Sequence, residues 1–302
     1  MQIARLTTAL RKLGQPLLLV VSAALLSGGA NASDEITHQS TQQTSKTDPN
    51  LDAVVRTILQ HEIRAQADDK SQWCYRKLQE KDGKRQLFQA CQTGVVEIDR
   101  LMAEDGKPLS AAQWNQENQR IQKLLGNTEQ LKKQKQQEVE DAKQATKLLR
   151  LIPEAFLFQQ LSDDGDRITL RFVPNPQFQT SGFSELVFHH MEGTLTLNVK
   201  QQRLVEISGR LNSDVKFAGG LLGHLDKGGT FLVKQQEIAP GCWEMTRMDV
   251  QMNGRALFFK TISVRTNEID TDFHAVPARA SIQQVAALTK EISEQRNRRD
   301  DR

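Results

Sequence analysis

The chain has 302 residues, 38% hydrophobic and 25% charged, with a formal net charge of +3. A charge this close to zero gives no bulk electrostatic case for nucleic acid. The aromatics, 5% of the chain with 12 Phe and a single Tyr, suit apolar packing better than a sugar-stacking surface.

At the N-terminus, Arg5, Arg11 and Lys12 precede the apolar run Pro16 to Leu26, and Ala30 to Ala32 reads as an A-x-A cleavage site. The run is too short to span a bilayer, and an uncleaved anchor would need a longer one. Residues 1–32 are therefore expected to be a signal peptide, with the mature chain exported to the periplasm. No cysteine follows the run, which argues against a lipoprotein anchor, and no later stretch is apolar enough to span a membrane. Cleavage removes three basic residues and leaves a mature chain near neutrality. Residues 33–47 are polar and aperiodic, as in a disordered linker.

Asp48 and Pro49 suit a helix start. Leu51, Val54, Val55, Ile58, Leu59 and Ile63 then form a helical stripe that ends near Asp68. Next comes "WCYRKLQEKDGKRQLFQAC", with Asp82-Gly83 at its centre. That pair reads as a type I′ hairpin loop. Lys81 then faces Lys84, and seven steps out Cys74 faces Cys91 in a non-hydrogen-bonded pair. The Cα separation expected there, roughly 4.5 Å, is within disulfide range. The other readings are two buried thiols or a shifted register. An oxidising compartment favours the bond. Cys242, beside Trp243, is left over as an expected buried thiol.

A third strand is expected over residues 94–102. A helical insertion over about 110–151 follows, opened by a Ser110/Gln113 capping box and broken near Gly126-Asn127. Its middle is rich in Lys, Gln and Glu. It fits a solvated edge helix, or an arm that binds a partner. After Pro153 the pattern becomes period-2 strands joined by polar turns, with Asn253-Gly254 read as one of the turns. On "MEGTLTLNV", Met191, Leu195, Leu197 and Val199 share a face, and on "RLVEISGRL" so do Val205, Ile207 and Leu211. One apolar sheet face needs a cover, and the helices are available. Residues 48–277 are thus expected to be a single α+β domain. Residues 278–302 should be a short helix and a fraying tail.

"FAGGLLGHLDKGGTF" (217–231) fits either a tight connection or a mobile flap built on Gly219, Gly220, Leu221, Leu222 and Gly223. There is no G-x-S-x-G, Walker A, G-x-G-x-x-G or H-E-x-x-H motif and no C-x-x-C pair. "HHMEG" would put His190 and Glu192 on one strand face with His189 on the other, which is too few ligands for a metal. No catalytic residue, cofactor or metal is expected.

The element order and the pair "MEGTLTLNVKQQRLVEISGRL" resemble the outer-membrane lipoprotein carrier and lipoprotein-sorting superfamily. The resemblance spans about Leu51 to Pro277, and the Lys/Gln-rich insertion departs from the compact carriers. It implies a curved, unclosed antiparallel half-barrel with helices across its mouth, holding an acyl chain or other apolar ligand. The lining would be Leu195, Leu197, Val205, Ile207, Phe231, Val233, Phe258 and Ile262, though the same residues would serve as a closed core. Each methylene buried there contributes about 0.8 kcal/mol. The expected role is an envelope binding protein for lipid, acyl chain or lipoprotein, with an envelope protein as a further partner. An interaction or scaffold module using the insertion is the alternative.

Overall fold

The computed structural model describes residues 49–256 and 260–300. The signal-peptide and linker segments, the Asp48 cap and Phe258 lie outside the described residues. Helix α1 (Pro49–Asp68) leads into β1 (Trp73–Lys81), β2 (Lys84–Gln92), β3 (Glu97–Glu104) and the short β4 (Lys107–Pro108). Helices α2 (Ala111–Gly126) and α3 (Thr128–Ala155) follow. The strands resume with β5 (Phe156–Asp163) and β6 (Arg167–Pro174), a 3-10 segment (Phe183–His190), β7 (Met191–Asn198) and β8 (Arg203–Leu211). Then come β9 (Val215–Phe217), β10 (Gly223–Leu225), β11 (Thr230–Ala239), β12 (Cys242–Ala256), β13 (Lys260–Ala275) and α4 (Ile282–Asp300).

All strand pairs are antiparallel, in the order β4-β3-β2-β1-β13-β12-β11-β8-β7-β6-β5, with β10 on β12 and β9 on β10. β4 and β5 are unpaired on their outer sides, so the sheet is not closed and the fold is α+β with an open, curved sheet. Bulges in five of the pairings above, such as Gln160/Ser162 and Thr196/Leu197, add local twist and bend.

The cysteine hairpin has the register its turn dictates. Asp82 (φ 51°) and Gly83 (φ 80°) form the loop, Lys81 faces Lys84, and Cys74 faces Cys91. The two cysteines are disulfide-bonded, with a Cα separation of 4.0 Å. Ser110 and Gln113 form the expected capping box, and Asn127 caps α3 by accepting from the Gln130 backbone.

Helices cover both faces of the sheet, each over a different part. The α1 stripe buries Val55, Ile58 and Leu59, which join Leu149 and Ile152 of α3 in the main core. That core includes Leu170, Leu195, Ile207, Val233 and Met248, on what we call the inner face. On the opposite face of β1–β3 a smaller core holds the disulfide, Ile98, Ile121 of α2, and Val285 and Ala286 of α4. The β1–β2 register fixes this two-sidedness, because Cys74 and Lys77 lie an odd number of residues apart.

Three expectations give way. Asn253-Gly254 is not a turn but lies within β12, paired with Ser263 and Ile262. Gly254 is there because β10 crosses it closely, and a Cβ would sit 2.2 Å from the His224 carbonyl oxygen. His189 and His190 end the 3-10 segment, and the strand begins only at Met191. The C-terminal tail does not fray near Ser293, and α4 continues to Asp300. It is held by Lys290–Glu294 (3.7 Å) and by Arg296–Asp272 (3.1 Å) to β13.

Gly193 and Gly209 face each other across β7 and β8, with the rings of Phe172 and Phe231 pressed on them. A Cβ on Gly193 would meet the Ser208 carbonyl oxygen at 2.0 Å and the Gly209 Cα at 2.6 Å. Gly193→Ala should therefore destabilise by about 1–3 kcal/mol through overpacking. Urea unfolding checks this, and an unchanged midpoint would contradict the close approach.

Candidate functional site

The inner face has two chemically different halves. Under α1 and α3, strands β5–β8, β11 and β12 present Phe, Leu, Ile and Val together with Met191, Met245, Met248 and Met252. Of the expected lining, Leu195, Leu197, Ile207, Phe231, Val233 and Ile262 are buried in this one core. Val205 is buried but outside it, because the Thr196/Leu197 bulge pairs Leu204 with Leu197 and turns Val205 away. Phe258 is not among the described residues.

One polar clamp fixes α1 to the sheet. The fully buried Glu62 accepts from Arg203 Nε (2.8 Å) and Nη2 (3.1 Å), from the Leu204 backbone N–H (3.0 Å) and from Gln66 Nε2 (2.7 Å). The Arg203 guanidinium also lies over the Trp243 ring, 5.3 Å from its centroid. Every oxygen of this carboxylate is used, which is what makes a buried charge tolerable.

Beyond β12 the inner face turns polar. Lys77 Nζ on β1 lies 2.8 Å from Glu97 Oε1 and 2.5 Å from Asp99 Oδ1, both on β3. Tyr75 donates to Glu97, and Gln79 Nε2 donates to Glu268 Oε2 on β13 at 2.7 Å. Burial alone would lower the Lys77 pKa, but Asp99, Glu97 and Glu268 outweigh it and hold the ammonium well above its usual range. Asp99 is pushed up to about 6, mainly by desolvation and further by Glu97, against the pull of Lys77. An acid whose pKa rises on folding contributes most when protonated. That contribution is full below about pH 4 and is lost as pH rises through 6. Asp99→Asn should flatten the pH dependence of urea stability between pH 4 and 6. The slope will be modest because the side chain is 38% exposed and screened by water. An unaltered slope would show that another group titrates there.

The glycine-rich stretch is a short ribbon. β9 and β10 carry buried Val215, Phe217 and Leu225, and β10 is paired to the end of β12. Its tip holds Gly219, Gly220, Leu221 and Leu222. Leu221 is 65% exposed, while Leu222 packs on the main core, and Gly223 starts β10. The ribbon is thus anchored along both strands, and only its tip is open. Cys242 begins β12 half-buried rather than buried.

His190 Nδ1 lies 2.8 Å from Ser213 Oγ, which donates to Asn212 Oδ1 at 3.0 Å. The three side chains together brace the connection between β8 and β9. Among the described residues, no group of three or more His, Cys, Asp or Glu side chains is placed to hold a metal, and no helix is long and apolar enough to cross a membrane.

One feature escapes sequence reasoning. A groove of about 730 Å³ lies on the outer face of β5–β8, β11 and β12, away from α1 and α3. Arg171, Glu192, Thr194, Ser208 and Arg210 are among its lining, with Leu161 and Leu232 as apolar parts. Each residue looks like ordinary solvent-facing polarity within its own strand, and only the cross-strand register gathers them.

No family model matches the chain, and no curated protein matches it. A solved structure, that of a DUF1329 family protein from Desulfovibrio piger, is similar over 78% of this chain and 96% of its own. The identity is 9% and the TM-score 0.26, a likeness that assigns neither ligand nor activity.

Proposed function

We propose that the protein is an exported, non-enzymatic binding protein of the cell envelope that takes up a lipid, an acyl chain or the lipid part of a lipoprotein between the inner sheet face and α1 with α3. The observation that carries this reading is the chemistry of that face. It is continuous, apolar and rich in methionine, with Met191, Met245, Met248 and Met252 all buried there. Methionine is unbranched and polarizable, so such a face repacks around an inserted chain at low cost. The α1 cover is joined to the rest by apolar contacts, the buried Glu62 clamp and two more exposed polar ties, His61 to the Gln202 carbonyl (3.0 Å) and Arg56 to Glu154 of α3 (3.2 Å), so a lifted helix exposes alkyl-compatible surface at the cost of one buried ion pair. No catalytic group is required.

The test is native mass spectrometry of the secreted chain, purified without detergent, before and after solvent extraction. A stoichiometric acyl species is the expected result and would name the ligand class. A bare mass, unchanged when phospholipid vesicles are offered, would overturn the reading.

A second reading rests on the packing itself. Leu195, Ile207 and Val233 already pack with Val55, Ile58, Leu59, Leu149 and Ile152, which describes a filled core. In that case the inner face is structural. The contact surface of the module is then the solvated first half of α3, where Val139 is 43% exposed among Lys, Gln and Glu.

A further inference from the structure

The outer groove has a distribution of charge and apolar surface that the inner-face reading does not use. Arg210 places Nη2 2.7 Å and Nε 3.0 Å from Glu192 Oε1. Arg171 Nη2 reaches the other oxygen of the same carboxylate at 3.7 Å. Two guanidinium groups therefore share one carboxylate. The second acid of the groove, Asp249, is engaged by Asn267 Nδ2 at 2.9 Å and Arg247 Nη2 at 3.8 Å. The Arg171–Glu192–Arg210 group thus carries an excess of one positive charge, and Arg171 has the looser contact.

Apolar surface adjoins this charge. Leu161 is the extra residue of the β5 bulge and is 55% exposed, and Leu232 projects on the same side from β11. The Thr194 and Ser208 hydroxyls lie 2.9 Å apart in the lining, so one donates to the other and one hydroxyl proton is left beside the arginines. The groove is wide and open on one side, so a ligand would lie along the sheet with part of its surface in water. A neutral sugar would want an exposed aromatic platform, and the aromatic in the lining, Phe231, is buried in the main core. A simple inorganic anion would leave Leu161 and Leu232 without a role.

We propose that this groove binds an amphipathic anion with a single carboxylate or phosphate, its head on Arg171 and Arg210 and its chain along Leu161 and Leu232. Guanidinium forks suit both head groups. The site is separate from the inner face and stands or falls independently of it.

The test is titration of the full chain with sodium dodecanoate, dodecyl phosphate and, as the neutral control, monododecanoylglycerol. Calorimetry gives affinity, and amide NMR shifts at Leu161, Gly193 and Thr194 give location. At least one anion should bind with shifts at these amides, the stronger of the two naming the head group, while the neutral control leaves them unmoved. Arg171→Gln should weaken binding roughly tenfold, as expected for loss of a charged hydrogen bond. Glu192→Gln should tighten it, because the competing carboxylate is gone. A merely structural ion-pair ladder would not give that gain. Failure of both anions to move the groove amides, equal shifts with the neutral control, or indifference to both substitutions would overturn the proposal. An inner-face ligand would instead shift Leu195 and Met248 and ignore Arg171→Gln.

Discussion

Glu62→Gln should lower the unfolding free energy by about 3–5 kcal/mol, the range for breaking a buried ion pair by removing one partner. The carboxylate is fully buried and answers the two Arg203 nitrogens and the Leu204 backbone N–H together. Its removal leaves the Arg203 guanidinium, itself 7% exposed, without its counter-charge. The double variant Glu62→Leu with Arg203→Met should recover most of the loss, since an apolar pair of similar volume has no desolvation penalty. Chemical denaturation of the two variants decides the matter. Equal destabilisation by both would mean that the α1 contact depends on packing and not on charge. If α1 is a lid, Glu62→Gln should also speed exchange of a bound acyl chain.

Removal of the disulfide, by Cys74→Ala with Cys91→Ala, should destabilise by about 3 kcal/mol, the value for a closed loop of this length. The loss should be local first. Both cysteines sit in the small core with Ile98, Ile121, Val285 and Ala286, which is separate from the main core. Hydrogen exchange should therefore quicken in β1–β3, α2 and α4 while the α1–β8 region keeps its protection. Uniform loss of protection would show that the two cores unfold as one unit.

Local chemistry made several elements readable from residues alone. The α1 stripe, the Asp82-Gly83 hairpin with its facing cysteines and the Ser110 capping box depend on neighbours within a few residues, and each appears where expected. Asn253-Gly254 has the same local signature as a hairpin loop, yet the approach of β10 from elsewhere in the chain overrides it. Val205 follows the strand alternation in sequence and loses its place to a bulge. The C-terminal tail looks too charged to order, but it gains ion pairs along α4 and to Asp272. The lining of the inner face was legible as alternation. Its packing against Leu149 and Ile152 of the insertion was not, because nothing in a strand records which helix crosses it. The outer groove was invisible for the same reason, as it assembles residues from six strands.

The seam between β1 and β13 has a kinetic consequence. Gln79 bonds to Glu268 across 189 residues of sequence, and Lys77 faces Asp270. These strands sit in the middle of the sheet and join the β1–β4 end to the rest. The hairpin of β1 and β2 therefore waits, one edge unpaired, until β13 has emerged. Pairings this distant in sequence close slowly, after the loop entropy of everything between them has been overcome. A chain of this topology completes its sheet only after β13 has been synthesised, and the disulfide-bonded hairpin is the part able to hold its own register in the interval.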